Sequence, residues 1–454
     1  MDFTKQSMKR REFIQKTTLT AGGLMAPAIF TSKHSLFAQS GVTKADHVVL
    51  VMFAGGVRQQ ESVLGRYLDD SQGVSGAMGN IMPNLFNGNA PTKKIVYGQS
   101  ISGMPAGSEP IPRLVSETLS KQGTLFPEVT AQSAGHFVGL NTLLTGSLSL
   151  AQGLKNRPVA PTIFEYLRKH RGFKATDCWF VGNSLGNSTP LLNCSSHPDY
   201  GLDYGGNMFI PPVTFGSYGR NILANAKSYN QSDYAPAYEM KEFLDRSFSL
   251  EQELVSTIKN TDIERTQIKD FIRNTFLKQN LGQIEMPPVS LNGDAFNIAY
   301  AAAILKEFKP KMLAVNLSAV DGCHSNFTNY LRSLHHADHI TAWLYQYIQN
   351  NIPELSGNTI FIVAPECGRN LKPNPILDEN NWYAYDHSDA NSLRVWTLMA
   401  GKNVPQNNTI GNELNPIGRI TDIVPTIADI FGIYNEVKNS GTIDPKAVSL
   451  FDRI

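Results

Sequence analysis

The chain beyond residue 40 predicts an α/β fold: a largely parallel central sheet with helices on both faces. Short β-branched runs alternate with helical patterns along it, the signature of such a sheet. The first of these runs, His47–Phe53 (HVVLVMF), is apolar throughout, as a buried strand requires, and ends at Ala54-Gly55-Gly56. Residues 124–131 read as a second strand, followed by a helix over 137–144. Residues 161–171 form a short helix with Pro161 near its start, and 178–181 a further strand. Two more apolar strands, 311–320 (KMLAVNLSAV) and 359–364 (TIFIVA), are separated by a long helix over 327–349. A strand over 393–400 closes the series, and 421–431 (TDIVPTIADIF) is a terminal helix.

The interval 201–288 breaks this rhythm. Its first part is rich in Gly, Asn, Tyr and Ser, and its second, 247–279, is a charged amphipathic helix or helical pair. As an insertion it forms either a cap over the active face or a helical layer on the flank of the sheet.

Residues 1–40 stand outside the fold. Lys9-Arg10-Arg11-Glu12-Phe13 is followed at once by small and apolar residues over 17–30, the order of a twin-arginine export signal. That apolar stretch of roughly 14 residues is interrupted by Gly22, Gly23 and Pro27, whereas a spanning helix needs about 20. Ala38-Gln39-Ser40 offers a cleavage point, so the mature chain begins near Gly41. The expected partner is the twin-arginine machinery, and the expected location is the periplasm or otherwise outside the cytoplasm.

Residues 41–454 then form one large domain or two intimately joined ones. With 40 Lys and Arg against 39 Asp and Glu, the charge balance argues against a nucleic-acid partner. No P-loop is present and no GxGxxG follows a strand, which excludes the common nucleotide and dinucleotide enzymes. Gly182-Asn183-Ser184-Leu185-Gly186 has the form of a serine-hydrolase elbow. An elbow must lead into a helix, however, and Asn187, Ser188 and Pro190 continue a loop, so a plain turn is preferred. Four cysteines are too few for a disulfide scaffold, although an oxidising compartment permits Cys178 to pair with Cys194.

Ligands of open α/β sheets bind outside the carboxyl ends of the strands. Polar, metal-competent residues gather there. Asp321-Gly322-Cys323-His324 follows the 311–320 strand, Glu366-Cys367-Gly368-Arg369 follows the 359–364 strand, Asp386-His387 precedes the last strand, and His136 follows the second. Each alone reads as a cap, a turn or a loop residue. Together they supply oxygen, imidazole and thiol donors suited to a divalent cation such as zinc. His335, His336 and His339 fall inside the long helix, where polar residues line a solvated face, and are left out of the site.

In order, these segments resemble the alkaline phosphatase and sulfatase superfamily: the first strand ending in a Gly-rich turn, Leu143-Leu144-Thr145-Gly146, Pro161 to Leu167, Asp321 to His324, Pro365 to Arg369, Asp386-His387, and Thr421 to Thr426. The closest likeness is to a branch of twin-arginine-exported bacterial proteins carrying a Glu-x-Gly-Arg turn. The resemblance implies an alkaline phosphatase-like domain over 41–454 that hydrolyses phosphate or sulfate esters with two metals, commonly zinc, beside a Ser, Thr or formylglycine nucleophile. It assigns one metal to Asp321, His324 and His387, with Asp386 counted among the ligands.

The other half departs from the pattern. Ala54-Gly55-Gly56 replaces the superfamily's carboxylate and supplies no side-chain ligand, while Glu366-Cys367 stands for its Asp-His pair. Cys367 is a competent zinc ligand, unless it pairs with Cys323. His136 occupies the nucleophile's position, where it would bind the second metal or form a phosphoenzyme. Thr130 and Ser133 are nearby hydroxyls, and Arg58 and Arg369 are candidates for holding an oxyanion. Two functions follow. One is an exported metal-dependent hydrolase with a partly degenerate bimetal site, acting on a small-molecule or glycan ester. The other is a fold that has lost turnover and serves as a binding or assembly component of the cell envelope, with an envelope protein partner.

Overall fold

Alternate residues of strand β1 (His47–Phe53) enter two different cores: Val49, Val51 and Phe53 one, Val48, Leu50 and Met52 the other. Period-two side-chain alternation on a strand covered from both sides has this consequence. The computed structural model describes residues 42–66, 72, 79–91, 110–149, 157–182, 191–214, 235–245, 257–289 and 293–454. All belong to a unit spanning Gln39–Ile454. The export signal and Ser184 lie outside the described residues.

The sheet contains β1, β2 (Gly123–Thr130), β3 (Cys178–Val181), β4 (Asn207–Phe209), β5 (Met312–Leu317), β6 (Thr359–Pro365), β7 (Arg394–Gly401) and β8 (Asn408–Thr409), in the order β4-β3-β5-β1-β6-β7-β2-β8. β1 lies at its centre, with Val48 beside Met312 of β5 and Ile360 of β6, both parallel. Among the described strands, only the pairings of β7, with β6 and with β2, are antiparallel. The fold is therefore α/β with a mostly parallel sheet, and the single reversed strand sends the chain that precedes β7 to the carboxyl ends of its neighbours.

Helices α1 (His136–Thr145), α2 (Ile163–Arg171) and α7 (Ile423–Ile430) cover one face. Helices α4 (Asp262–Asn280), α5 (Gly293–Phe308) and α6 (Phe327–Asn351) cover the other. Between β4 and α4 in the chain lies α3 (Ala235–Asp245). No helix among the described residues is long and apolar enough to cross a membrane.

Two differences from the sequence expectation, in the 311–320 strand and in α5, have local causes. The 311–320 strand stops at Leu317 because buried Asp294 accepts the N–H groups of Ser318 and Ala319, both at 2.9 Å, and turns the chain into a 3-10 helix over Ala319–His324. Helix α4 starts at a capping box in which Thr261 Oγ1 accepts the Glu264 N–H at 3.2 Å and Glu264 Oε2 accepts the Thr261 N–H at 2.7 Å. Helix α5 has no counterpart in the expectation, since it is apolar around nearly its whole circumference and so shows no amphipathic period. Within 201–288, β4 joins the sheet as its edge strand, and Ile268, Phe271, Ile272 and Phe276 of α4 pack on the flank.

The polar face of α6 corrects a further expectation. His335, His336 and His339 are buried rather than solvated, because distant backbone at Ile81 and Ile111 meets this face of the helix. His335 Nδ1 donates to the Ile81 carbonyl at 2.6 Å, and its Nε2 accepts the Ile111 N–H at 2.7 Å. Asp338 accepts the N–H of Leu85 at 2.8 Å and the Asn84 side-chain amide at 2.7 Å. All four cysteines are buried free thiols, so neither sequence-suggested disulfide is formed.

Two stability predictions follow from buried charge. Lys241 of α3 reaches Asp245 Oδ2 at 2.5 Å and Asn207 Oδ1 of β4 at 2.8 Å, with Lys241 and Asp245 fully buried. Lys241→Met strands the carboxylate and should cost about 3–5 kcal/mol in urea unfolding. Burial pushes His335 down to about 4 from an ordinary 6.5, so the unfolded chain takes up this proton first as pH falls. The ring's contribution is complete above about pH 6.5 and is lost between there and about pH 4. Comparing urea unfolding at pH 7 and pH 4.5, the decline should be smaller in His335→Gln than in the parent.

Candidate metal centre

Three connections bring the site together at the carboxyl edge of the sheet. His136 is the first residue of α1, just after β2; Asp321 and His324 lie in the 3-10 helix after β5; His387 lies in the loop from β6 to β7. The reversal of β7 is what allows that last residue to arrive. His136, His324 and His387 place one donor atom each within 4.8 Å of one another. Asp321 Oδ1 lies 3.0 Å from His136 Nε2 and 3.5 Å from His324 Nε2. The 3.0 Å approach is not aligned as a hydrogen bond, leaving His136 Nε2 buried without one. His387 Nδ1 is likewise buried and unpartnered. Side-chain exposures of 46% for Asp321 and 38% for His324 leave the cluster open on one side.

On the other side of the His136 ring lies Glu366, wholly buried. Its Oε1 accepts the N–H groups of Gly55 at 2.5 Å and Gly56 at 3.2 Å and lies 2.7 Å from His136 Nδ1. Cys367 Sγ is 3.6 Å from the same nitrogen. The Gly-Gly turn thus contributes backbone donors where the sequence offered no side chain, an anion nest that successive glycines at the end of a strand can signal. Gly55 adopts φ +127°, and a Cβ there would meet the Asp321 backbone nitrogen at 2.4 Å.

Several sequence candidates are placed differently from their expected roles. Asp386 Oδ1 holds His324 Nδ1 at 2.7 Å, so it orients a candidate ligand rather than joining the donor cluster. Arg369, fully buried, gives its guanidinium to the carbonyls of Gly55, Gly56 and Tyr385 and to Asp321 Oδ1 at 3.1 Å. Arg58 is clasped by buried Glu61, with Nε–Oε2 at 2.9 Å, and lies 3.8 Å over the Tyr385 ring. Both arginines bind protein groups, the inter-loop contact that was the alternative to holding an oxyanion. His136 has a carboxylate at each ring nitrogen. Ser133 Oγ accepts the Gly135 N–H at 3.0 Å in the turn before α1, and Thr130 is exposed at the end of β2.

The electrostatics suit a cation. Burial alone would lower the His136 pKa, but the close approach of Asp321, Cys367 and Glu366 raises it to about 12. Burial would raise Asp321, yet His136 and His324 hold it well below the ordinary carboxylate range. Burial, followed by the neighbouring His136, Arg369 and His324, pushes His387 down to about 4. Burial raises the Cys367 thiol to about 12.

No family model matches the chain, and no curated relative does. Among solved structures it is similar to a protein in the alkaline phosphatase superfamily from Vibrio parahaemolyticus, at 10% identity and TM-score 0.38 over 86% of this chain and 67% of that one. It is similar to the PsFucS1 sulfatase from Pseudoalteromonas sp. at 13% identity and TM-score 0.38, over 88% and 70%. A third similar structure is a mutant of alkaline phosphatase PafA, at 10% identity and TM-score 0.43, over 86% and 96%. Likeness at this level carries no chemistry; that rests on the geometry above.

Gly55→Ala adds a clash with Asp321 to an unfavourable backbone conformation. It should cost at least about 2 kcal/mol in urea unfolding.

Proposed function

We propose that this chain is an exported, metal-dependent hydrolase of phosphate or sulfate esters with an alkaline phosphatase-like domain. The observation that supports the reading is the convergence of His136, His324, His387 and Asp321 from three connections onto one open edge. The donors fit a divalent cation, zinc by preference. Tetrahedral zinc at about 2.0–2.1 Å from nitrogen and oxygen sets its ligands roughly 3.3 Å apart. The Asp321 contacts of 3.0 and 3.5 Å bracket that value. The unpartnered nitrogens of His136 and His387 are the atoms such an ion would satisfy.

When bound, the cation supplies Lewis acidity toward a phosphoryl or sulfuryl oxygen. The protein supplies the positioning. Asp386 fixes the His324 ring so that Nε2 faces Asp321, and Arg369 ties Asp321 to the turn after β1. The exposed side of Asp321 and His324 admits the anionic group of a small-molecule or glycan ester.

A second reading has one observation in its favour. With Arg58 and Arg369 engaged by protein groups, no guanidinium of this pair is left for substrate, as expected of a binding or assembly component of the envelope. Metal analysis of the purified chain and turnover of p-nitrophenyl phosphate and sulfate separate the two. The hydrolase reading expects bound zinc and turnover that falls on the order of a hundredfold or more in Asp321→Ala. Metal without Asp321-dependent turnover supports the second reading, and absence of both metal and turnover removes the first.

A further inference from the structure

We propose that the hairpin over 370–386, between β6 and His387, is a subsite for an apolar alcohol, so that the esters this chain takes carry an alkyl chain or apolar ring rather than a sugar. The inference rests on the hydrolase reading above and names its substrate class. Four exposed large apolar side chains, Leu371, Ile376, Leu377 and Tyr383, fall within this one connection, each between 38% and 49% exposed. Exposed apolar residues scattered singly are normal on a soluble surface, whereas a group of them marks a binding surface.

The hairpin is tied down in a way that holds these side chains out. Leu377 pairs antiparallel with Tyr383. The flanking bonds, from the Asp378 N–H to the Trp382 carbonyl and from the Ala384 N–H to the Ile376 carbonyl, both at 2.9 Å, make this a non-hydrogen-bonded pair whose side chains share one face. The N–H and C=O of Tyr383 therefore point away from Leu377, and the Gln72 side-chain amide meets both at 2.8 Å. Side-chain alternation sends the neighbours Trp382 and Ala384 to the inner face, Trp382 against the core. The face that such a ribbon turns to water is ordinarily polar, yet here it carries leucine and tyrosine.

The position of the hairpin decides the occupant. Its base joins the candidate metal centre: the Asn370 N–H bonds the Asp386 carbonyl at 2.8 Å, and Asn374 Nδ2 donates to the His324 carbonyl at 3.1 Å. Tyr383 is three residues from Asp386, which puts their Cα atoms within about 11 Å, and Asp386 itself holds the part-exposed His324 ring at 2.7 Å. An ester whose anionic group meets the open side of Asp321 and His324 therefore reaches the Leu377 and Tyr383 pair with an alcohol of about eight carbons. A membrane fits this face less well, because the tip of the ribbon, Asp378-Glu379-Asn380-Asn381, is acidic and polar where insertion calls for apolar and basic residues.

Phosphonates test this, because their carbon–phosphorus bond is not hydrolysed and binding is read apart from turnover. In isothermal titration calorimetry of the full chain supplied with zinc, octylphosphonate should bind at least about tenfold more tightly than methylphosphonate, about 1.4 kcal/mol, the gain from burying about two carbons. Leu377→Ser combined with Tyr383→Ser should bring the two affinities together, and Ile263→Ser, an exposed apolar residue on helix α4, should leave their ratio unchanged. Circular dichroism melting checks that the variants fold. Equal affinities in the parent, a preference that survives the double variant, or binding of neither phosphonate overturns the subsite. Capture of the chain by phosphatidylcholine vesicles, or dimerisation through this face, in place of an alkyl preference also overturns it and identifies the occupant. Zinc content and p-nitrophenyl phosphate turnover judge the hydrolase reading separately: a chain without turnover that keeps the alkyl preference loses that reading and retains the hairpin as a binding site.

Discussion

A single buried carboxylate organises this molecule's carboxyl edge. Glu366 sits at the end of β6 with no exposure, and an isolated charge there would be prohibitively costly. The backbone meets this cost: the N–H groups of Gly55 and Gly56 close on Oε1, each charge-assisted bond worth about 1.5–3 kcal/mol. Only glycine permits it, since a Cβ at Gly55 would enter the Asp321 backbone and one at Gly56 would approach the Gly368 carbonyl. Gly139 plays the same part on α1, where a Cβ would lie 2.5 Å from the Glu366 carbonyl. The ends of β1, β5 and β6 and the start of α1 are thus pressed together by small residues around one acid. Arg369 seals the arrangement by bonding the carbonyls of the same two glycines.

Sheet topology then decides which side chains share that edge. Parallel strands deliver His136, Asp321 and Glu366 by their carboxyl ends, as open α/β sheets do. His387 precedes its strand and belongs at this edge only because β7 runs backwards between β6 and β2. The buried strands were legible in the sequence for a simple reason: the apolar runs His47–Phe53 and Cys178–Val181 have polar or turn-forming neighbours that mark their ends. Helix α5 and the inward face of α6 were not legible. The first lacks a polar stripe, and the second has histidines and an aspartate facing inward because distant backbone around Ile81, Asn84 and Ile111 satisfies them. The same limit applies in the site. Motif spacing marked His136, His324 and His387, but the capture of Arg58 by Glu61 and of Asp386 by His324 depends on rotamers that no spacing records.

A proton on His136 lies between the two carboxylates of this edge. His136 lies between Asp321 and Glu366, and their combined pull outweighs the desolvation that would otherwise strip its charge. Together with the Arg369 guanidinium beside Asp321, this imidazolium balances both carboxylates, so the edge packs without an ion. The price is competition: a cation can enter on the Nε2 side only where the ring gives up that proton, so occupancy strengthens as pH rises. The arrangement differs from sites whose ligands are free in the empty protein. Here the proton on His136 already holds the two carboxylates 2.7 and 3.0 Å from the ring.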